Sequence, residues 1–148
     1  MIMSDEIKAN VLIVDDETNF LDLVSTRLET RGLKVEKATN GTEALDKVKQ
    51  KSFDAIVLDL AMPGMDGHET LKALKKENPD LQVIILTGHA TVHDGVEVIK
   101  EGAIDLLEKP LDLNQLINKI GQAKLNKVVL IEKHHEDHIK EIMKSKGW

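Results

Sequence analysis

The segment Val11-Leu-Ile-Val-Asp-Asp-Glu17 places four consecutive apolar residues immediately before three acids. Three more short apolar runs follow, at residues 55–58, 83–86 and 104–107, the last interrupted by Asp105. Continuous runs of this length, rich in β-branched residues, are typical of strands that are covered on both faces of a parallel sheet. These four runs therefore predict the buried strands of an α/β fold.

A fifth strand is predicted at Leu33-Lys-Val-Glu36, where apolar and polar residues alternate. Alternation indicates that one face of the strand is wet, so we expect this strand at a sheet edge. Amphipathic segments separate the runs, and the first of them has Phe20, Leu21, Val24 and Leu28 on one helical face. Gly32 is the expected end of that helix.

Three of the later helices begin with an Asn or Asp that is followed three residues on by Glu or Gln, a helix-start pattern. The pairs are Asn40 with Glu43, Asp66 with Glu69, and Asp112 with Gln115. The chain thus consists of five βα units. Such units predict an α/β fold, with a doubly wound five-stranded parallel sheet and helices on both faces.

Polar residues follow the predicted strands at the point where each strand ends. They are Asp15 and Asp16, Asp59, Thr87, and Glu108 with Lys109. Ligands of open α/β sheets bind outside the carboxyl ends of the strands, so we expect these side chains to converge. Each one alone has an ordinary interpretation, such as a turn residue or a solvated lysine. The combination is what points to a site.

Three carboxylates in one crevice repel one another unless a cation lies between them. Oxygen ligands favour a hard cation, and Mg²⁺ fits best because it uses few carboxylates together with water and phosphate oxygens. A neighbouring lysine suits a ligand that brings more negative charge, such as a phosphoryl group. An aspartate can accept that group as a nucleophile. Geometry alone does not select the nucleophile, but Asp59 is favoured as the lone acid on a central strand.

The chain resembles the receiver domains of bacterial response regulators in two-component signalling. The matching segments are Val11-Leu-Ile-Val-Asp-Asp-Glu17, Ile56-Val-Leu-Asp-Leu-Ala-Met-Pro-Gly-Met-Asp-Gly67, Leu86-Thr-Gly88, Gly102-Ala103 and Glu108-Lys-Pro110. The match runs from about residue 9 to about residue 125. The resemblance implies the flavodoxin-like receiver fold, with strand order 2-1-3-4-5. It also implies a phosphoacceptor whose phosphorylation switches protein–protein interactions.

The resemblance assigns a role to each site residue. It implies that Asp59 is phosphorylated and that Asp16 and Asp59 bind Mg²⁺ directly, together with the carbonyl of Ala61. Asp15 would act on the metal largely through water. Two further residues, Thr87 and Lys109, would contact the phosphoryl group.

Four residues around the site are expected to modulate it. The resemblance implies that the Lys109–Pro110 bond is cis, a form that few bonds before proline adopt. Receivers often carry Tyr or Phe where this chain has Leu106, so aromatic gating does not carry over. Ala61 and His89 lie two residues beyond Asp59 and Thr87, at positions that tune the lifetime of the aspartyl phosphate in this family. We therefore expect Ala61 and His89 to set the dephosphorylation rate.

The expected partners are proteins. A sensor histidine kinase would donate the phosphoryl group, and a downstream protein would bind the face made by the fourth helix, fifth strand and fifth helix. The resemblance also allows a homodimer. A net charge of −6, 2% aromatic residues and no helix-turn-helix segment argue against direct nucleic-acid binding. The apolar runs are too short to span a membrane, and a cysteine-free chain suits a reducing cytoplasm.

Two other classes of function remain open at this point. An aspartate-dependent phosphohydrolase would also use a strand-end Asp and Mg²⁺, but Ala61 stands where its second acid is usual and no inserted cap is evident. A binding module that is never phosphorylated is the other alternative. The complete set of site residues argues against that module.

Residues 126–148 extend beyond the predicted receiver domain, which we place at residues 1–125. This C-terminal helical extension has a thin apolar stripe of Val128, Ile131, Ile139, Ile142 and Met143. It could continue the fifth helix, pack on the domain or pair with a partner. The extension also contains a cluster of histidines at positions 134, 135 and 138. We interpret this cluster as a solvated polar face and not as a zinc site, because no additional ligands are evident.

Overall fold

Strands and helices alternate along the computed structural model, which describes residues 8–60, 67–88 and 92–147. The elements are β1 (Asn10–Val14), α1 (Thr18–Thr30), β2 (Lys34–Ala38), α2 (Gly41–Gln50), β3 (Ala55–Asp59), α3 (Gly67–Glu77), β4 (Val83–Thr87), α4 (Val92–Lys100), β5 (Asp105–Glu108) and α5 (Leu113–Ser145).

The five strands form one parallel sheet in the order β2-β1-β3-β4-β5. Both the α/β class and the strand order are therefore confirmed. Every residue of β3 and β4 is buried, whereas β2 has exposed and half-buried positions and lies at the edge. The wet face predicted for the second strand agrees with this edge position.

The sheet divides the interior into two apolar cores. Val11 and Ile13 of β1 pack with α1 and α5, while Leu12 and Val14 face the side of α2 and α3. This alternation follows from the two-residue period of a strand, which sends successive side chains to opposite faces. Helices therefore cover both faces, as in a doubly wound sheet.

The helix starts follow the predicted signals where the structure describes them. The Asn40 side chain accepts a hydrogen bond from the Glu43 N–H at 2.8 Å. Asp112 accepts hydrogen bonds from the N–H groups of Asn114 and Gln115. The third predicted cap, Asp66, lies outside the described residues.

The predicted start of the second strand is one residue early. Gly32 has a φ of +91°, and the Leu33 N–H donates to the Leu28 carbonyl at 3.2 Å. Leu33 therefore completes the C-terminal cap of α1, in which a glycine with positive φ turns the chain back. The strand itself begins at Lys34.

The extension after residue 125 continues α5 without a break, which confirms the first of the three arrangements considered for it, while pairing with a partner stays a prediction. The helix has 33 residues, or about 50 Å at 1.5 Å per residue. Its first part buries Leu116, Ile117, Ile120 and Ala123, whereas residues 131–147 are exposed. The boundary at residue 125 remains a prediction. None of the described helices is both long enough and apolar enough to cross a membrane.

Two leucines of α5 provide a matched test of this packing. Leu116 is fully buried in the core that contains residues of β1 and β3, while Leu125 is exposed. We expect Leu116→Ala to lower the free energy of unfolding by about 2 to 5 kcal/mol, because it leaves a cavity. Leu125→Ala should change it by less than about 0.5 kcal/mol. Equilibrium urea unfolding measures both, and equal losses would contradict the described packing of α5.

Candidate functional site

The register of the sheet brings the predicted site residues to one edge. Val14 pairs with Leu58, so Asp15 and Asp59 follow at the same level on neighbouring strands. In the same way Asp59 pairs with Leu86, which places Thr87 one residue further along β4. Thr87 in turn pairs with Glu108, and Lys109 is the next residue. Parallel pairing alone therefore gathers side chains that are far apart in sequence.

Three carboxylates form a compact acidic cluster at this edge. Asp15, Asp16 and Asp59 each offer an oxygen, and these oxygens all lie within 4.8 Å of one another. Asp15 and Asp59 are 1% and 5% exposed, while Asp16 is open to solvent. The structure thus brings together the three acids whose convergence the strand ends predict.

Hydrogen bonds hold Asp15 in place. Its Oδ2 accepts from the Lys109 ammonium at 3.0 Å, and its Oδ1 accepts from the Glu17 N–H at 2.9 Å. Its own backbone N–H donates to the Ala38 carbonyl at 3.1 Å. The edge strand β2 thus helps to orient the acidic cluster through its backbone.

Lys109 joins the cluster from the end of β5. Its Nζ lies 4.2 Å from the centre of the Phe20 ring, a cation–π geometry. Its backbone N–H donates to the Thr87 carbonyl at 2.7 Å, and its peptide bond to Pro110 is cis, as predicted. The lysine is therefore positioned by an aromatic ring, a carboxylate and the end of β4.

Phe20 is a site residue that sequence reasoning misses, because its spacing predicts only an apolar helix face. The ring does pack against the core on that side of the sheet. Its contact with Lys109 depends on how α1 and the end of β5 meet in space, which no local pattern reports. The scarcity of aromatic residues, with two Phe in 148 residues, is a weak signal that could have singled it out.

The remaining predicted residues fall into two groups. Thr87 is buried at the end of β4, beside the acids. Leu106 is half-buried and packs on the core that contains residues of α2, α3 and α4. Ala61 and His89 lie outside the described residues, so the roles expected of them remain predictions.

The donor set fits a divalent hard cation. Three carboxylates carry a formal charge of −3, and the neighbouring ammonium of Lys109 offsets one unit. All the ligand atoms are oxygens, which Mg²⁺ prefers to nitrogen or sulfur. A site of this kind would bind Mg²⁺ through the acids and still present an ammonium to an incoming anion.

The histidines of the extension do not form a second cluster of this kind. His134, His135 and His138 are all exposed, and His134 Nε2 lies 2.9 Å from Asp80 Oδ2. Among the residues that the structure describes, two groups of metal-ligating side chains lie close together, and neither group includes a histidine of the extension. The interpretation of these histidines as a solvated face agrees with their exposure.

Comparisons with known proteins identify the family. The model of the response regulator receiver domain matches residues 11–121. The transcriptional regulatory protein ZraR of Klebsiella oxytoca is 40% identical over 121 residues, which cover 82% of this chain and 27% of that protein. The chain thus spans about a quarter of the length of the curated relatives it matches.

Solved structures agree with this match. A response regulator receiver domain protein from Clostridium thermocellum is 35% identical with a TM-score of 0.78, covering 82% of this chain and 98% of that one. The beryllofluoride-activated NtrC4 receiver domain dimer is 37% identical with a TM-score of 0.75, covering 80% and 98%. These findings favour a receiver over the phosphohydrolase and the unphosphorylated module. The chain belongs to the response regulator receiver domains, the phosphoacceptor modules of two-component signalling.

Proposed function

We propose that Asp59 is the residue that accepts the phosphoryl group, in a Mg²⁺-dependent transfer from a sensor histidine kinase. The observation that carries this proposal is the acidic cluster of Asp15, Asp16 and Asp59 with the Lys109 ammonium beside it. The carboxylate oxygens of Asp15 accept hydrogen bonds from Lys109 and from the Glu17 N–H, and Asp16 is open to water. Asp59 lies between the acids that follow β1 and Thr87 of β4, which suits the nucleophile.

The metal would be held by Asp16 and Asp59, with Asp15 acting through water and the Ala61 carbonyl as a further ligand. Bound Mg²⁺ supplies charge neutralisation for the oxygens of the transferring phosphoryl group. The mutual distances of the acids and their oxygen chemistry support these roles.

In the transfer, a carboxylate oxygen of Asp59 attacks the phosphorus of a phosphohistidine. An O–P bond forms and the P–N bond breaks, and the electron pair of that bond remains on the imidazole nitrogen of the kinase. The Lys109 ammonium lies 3.0 Å from Asp15 in the acidic cluster and would pair with a phosphoryl oxygen once the new charge arrives. The Thr87 hydroxyl would donate a hydrogen bond to another phosphoryl oxygen.

Phosphorylation would bias a two-state equilibrium on the face formed by α4, β5 and α5. The Lys109 N–H and the Thr87 carbonyl link the ends of β4 and β5, so movement at the site would reach β5 directly. Val96 and Ile99 are exposed apolar residues of α4. They support the proposal that a downstream protein binds this face.

The remaining partner predictions are also proposals. A homodimer is supported by the dimer in which the similar NtrC4 receiver was solved. The relatives named as transcriptional regulators are about three times as long as this chain, and the match covers 27% of the ZraR of Klebsiella oxytoca, so their activity as whole proteins does not transfer to these residues. We propose no nucleic-acid partner for residues 1–148, because the chain is acidic and poor in aromatic residues. The cytoplasmic location remains a prediction from the cysteine-free sequence.

Labelling with a small acyl phosphate tests the phosphoacceptor. With Mg²⁺ present, the wild-type chain should gain one labile phosphoryl group, and Asp59→Asn should gain none, because an amide is not a nucleophile here. Asp46→Asn changes an exposed acid of α2 in the same way and should label like the wild type. Intact-mass measurement reports the added group. Equal labelling of Asp59→Asn and the wild type would overturn the assignment.

Replacing the lysine tests its separate role. Lys109→Ala removes the ammonium beside the acids, so Mg²⁺ affinity, measured by calorimetric titration, should stay equal or increase. The rate of phosphorylation should fall roughly 100-fold, as expected for the loss of one group that stabilises the transferring charge. A large loss of Mg²⁺ affinity with a normal phosphorylation rate would reverse the proposed role.

Two substitutions test the residues that we expect to set the lifetime of the aspartyl phosphate. Ala61→Asn adds an amide that can hydrogen-bond an attacking water, so hydrolysis of the aspartyl phosphate should become several-fold faster. This increase is smaller than the roughly 100-fold or more that a general base contributes. His89→Ala removes a side chain expected to shield or touch the phosphoryl group and should also alter the decay. Decay of the labelled species is followed by mass spectrometry, and unchanged rates in both variants would remove the hypothesis.

A further inference from the structure

A second group of metal-ligating side chains lies between α3 and α4, apart from the acidic cluster. His68, Glu97 and Glu101 each offer an atom, and these atoms all lie within 4.8 Å of one another. His68 belongs to the first turn of α3, Glu97 to α4, and Glu101 follows the last residue of α4. No role in phosphoryl transfer uses these three residues.

The closest contact in the group joins the two helices. His68 Nδ1 lies 2.9 Å from Glu101 Oε2 and 3.2 Å from Oε1. The Glu101 side chain is 10% exposed and the His68 side chain 26%. These two ligands are therefore already placed and partly removed from water.

The charges at this position favour a cation. Glu97 and Glu101 are four residues apart, where like charges on a helix repel. They also lie at the C-terminal end of α4, where the helix dipole disfavours anions. The Lys72 ammonium, 3.9 Å from Glu101 Oε1, is largely exposed and offers only weak compensation.

We propose that His68, Glu97 and Glu101 form a binding site for a divalent transition-metal ion of the Zn²⁺ class. Zinc ligands lie about 2.0 to 2.2 Å from the ion, so tetrahedral ligand atoms are about 3.3 Å apart. His68 Nδ1 and Glu101 Oε1 are 3.2 Å apart, near that value, and a Glu97 oxygen lies within 4.8 Å of the ligand atoms of both residues. Imidazole selects zinc over Mg²⁺, which separates this site chemically from the acidic cluster.

His93 lies beside this group and outside it, and its side chain would have to rotate to serve as a fourth ligand. Its Nε2 lies 3.4 Å from Glu97 Oε2, and its side chain is almost fully exposed. His93, Glu97 and Glu101 follow one another at four-residue intervals, and the Glu101 N–H donates to the Glu97 carbonyl at 2.9 Å, so the three residues lie along one face of α4 and the turn that follows it. The bound ion would clamp the first turn of α3 to the end of α4.

Zinc titration with Mg²⁺ in large excess tests the proposal, with a fluorescent chelator as competitor. The wild type should bind one Zn²⁺, and His68→Gln and Glu101→Gln should each weaken that affinity by about tenfold or more. Zn²⁺ should raise the Tm of the wild type, since it binds the folded state, and should not raise that of His68→Gln.

Three controls make the outcome specific. A variant with His134→Gln and His138→Gln should keep the site, because those residues lie in the extension. Asp59→Asn should also keep it, which separates this site from phosphorylation. Lys72→Ala keeps all the ligands and removes a competing ammonium, so its zinc affinity should equal or exceed that of the wild type. Unchanged zinc affinity in His68→Gln would overturn the proposal and leave only an ion pair between His68 and Glu101. Loss of zinc binding in the extension variant or in Asp59→Asn would also overturn it, as would weaker binding in Lys72→Ala.

Discussion

The structure depends on the meeting of three carboxylates and one ammonium at the carboxyl edge of a parallel sheet. Asp15 is almost fully buried, and a buried charge without a partner is costly. The Lys109 ammonium, 3.0 Å from Asp15, is that partner, and its contact with the Phe20 ring helps to position it. Because the register sets these positions, a slip of one strand would separate the charges from their compensation.

Much of this arrangement is predictable because it follows from local rules. Continuous apolar runs predict the strands, side-chain caps such as Asn40 and Asp112 predict helix starts, and parallel strands put their last residues on one edge. Leu33 is misplaced because an apolar residue beside a strand looks the same as one that closes a helix cap. Phe20 beside Lys109 and His68 beside Glu101 are contacts between distant segments, which no periodicity encodes.

The course of α5 shows the same limit on a larger scale. Its sequence allows three arrangements, and the choice depends on contacts with segments far away. The Lys127 ammonium donates to the Phe53 carbonyl, and Asn126 donates to the Gln82 side chain. These hydrogen bonds attach α5 to the segments that precede β3 and β4, at the amino ends of the strands. Beyond them the apolar stripe is exposed, and the contact of His134 with Asp80 is made between two exposed side chains.

The packing of α4 on the domain bears on how the site could affect the proposed output face. Of its described side chains, those of residues 93–100, one is buried, that of Val98. A helix with so little buried apolar surface is among the easiest elements to displace. Leu106 supplies no aromatic ring, so the proposed displacement of α4 would depend on other links between the site and this face, such as the hydrogen bond between the Lys109 N–H and the Thr87 carbonyl. The contact between His68 and Glu101 joins α3 to the end of α4, so a cation bound there would stabilise this position of α4 and act on the proposed equilibrium together with the phosphoryl group.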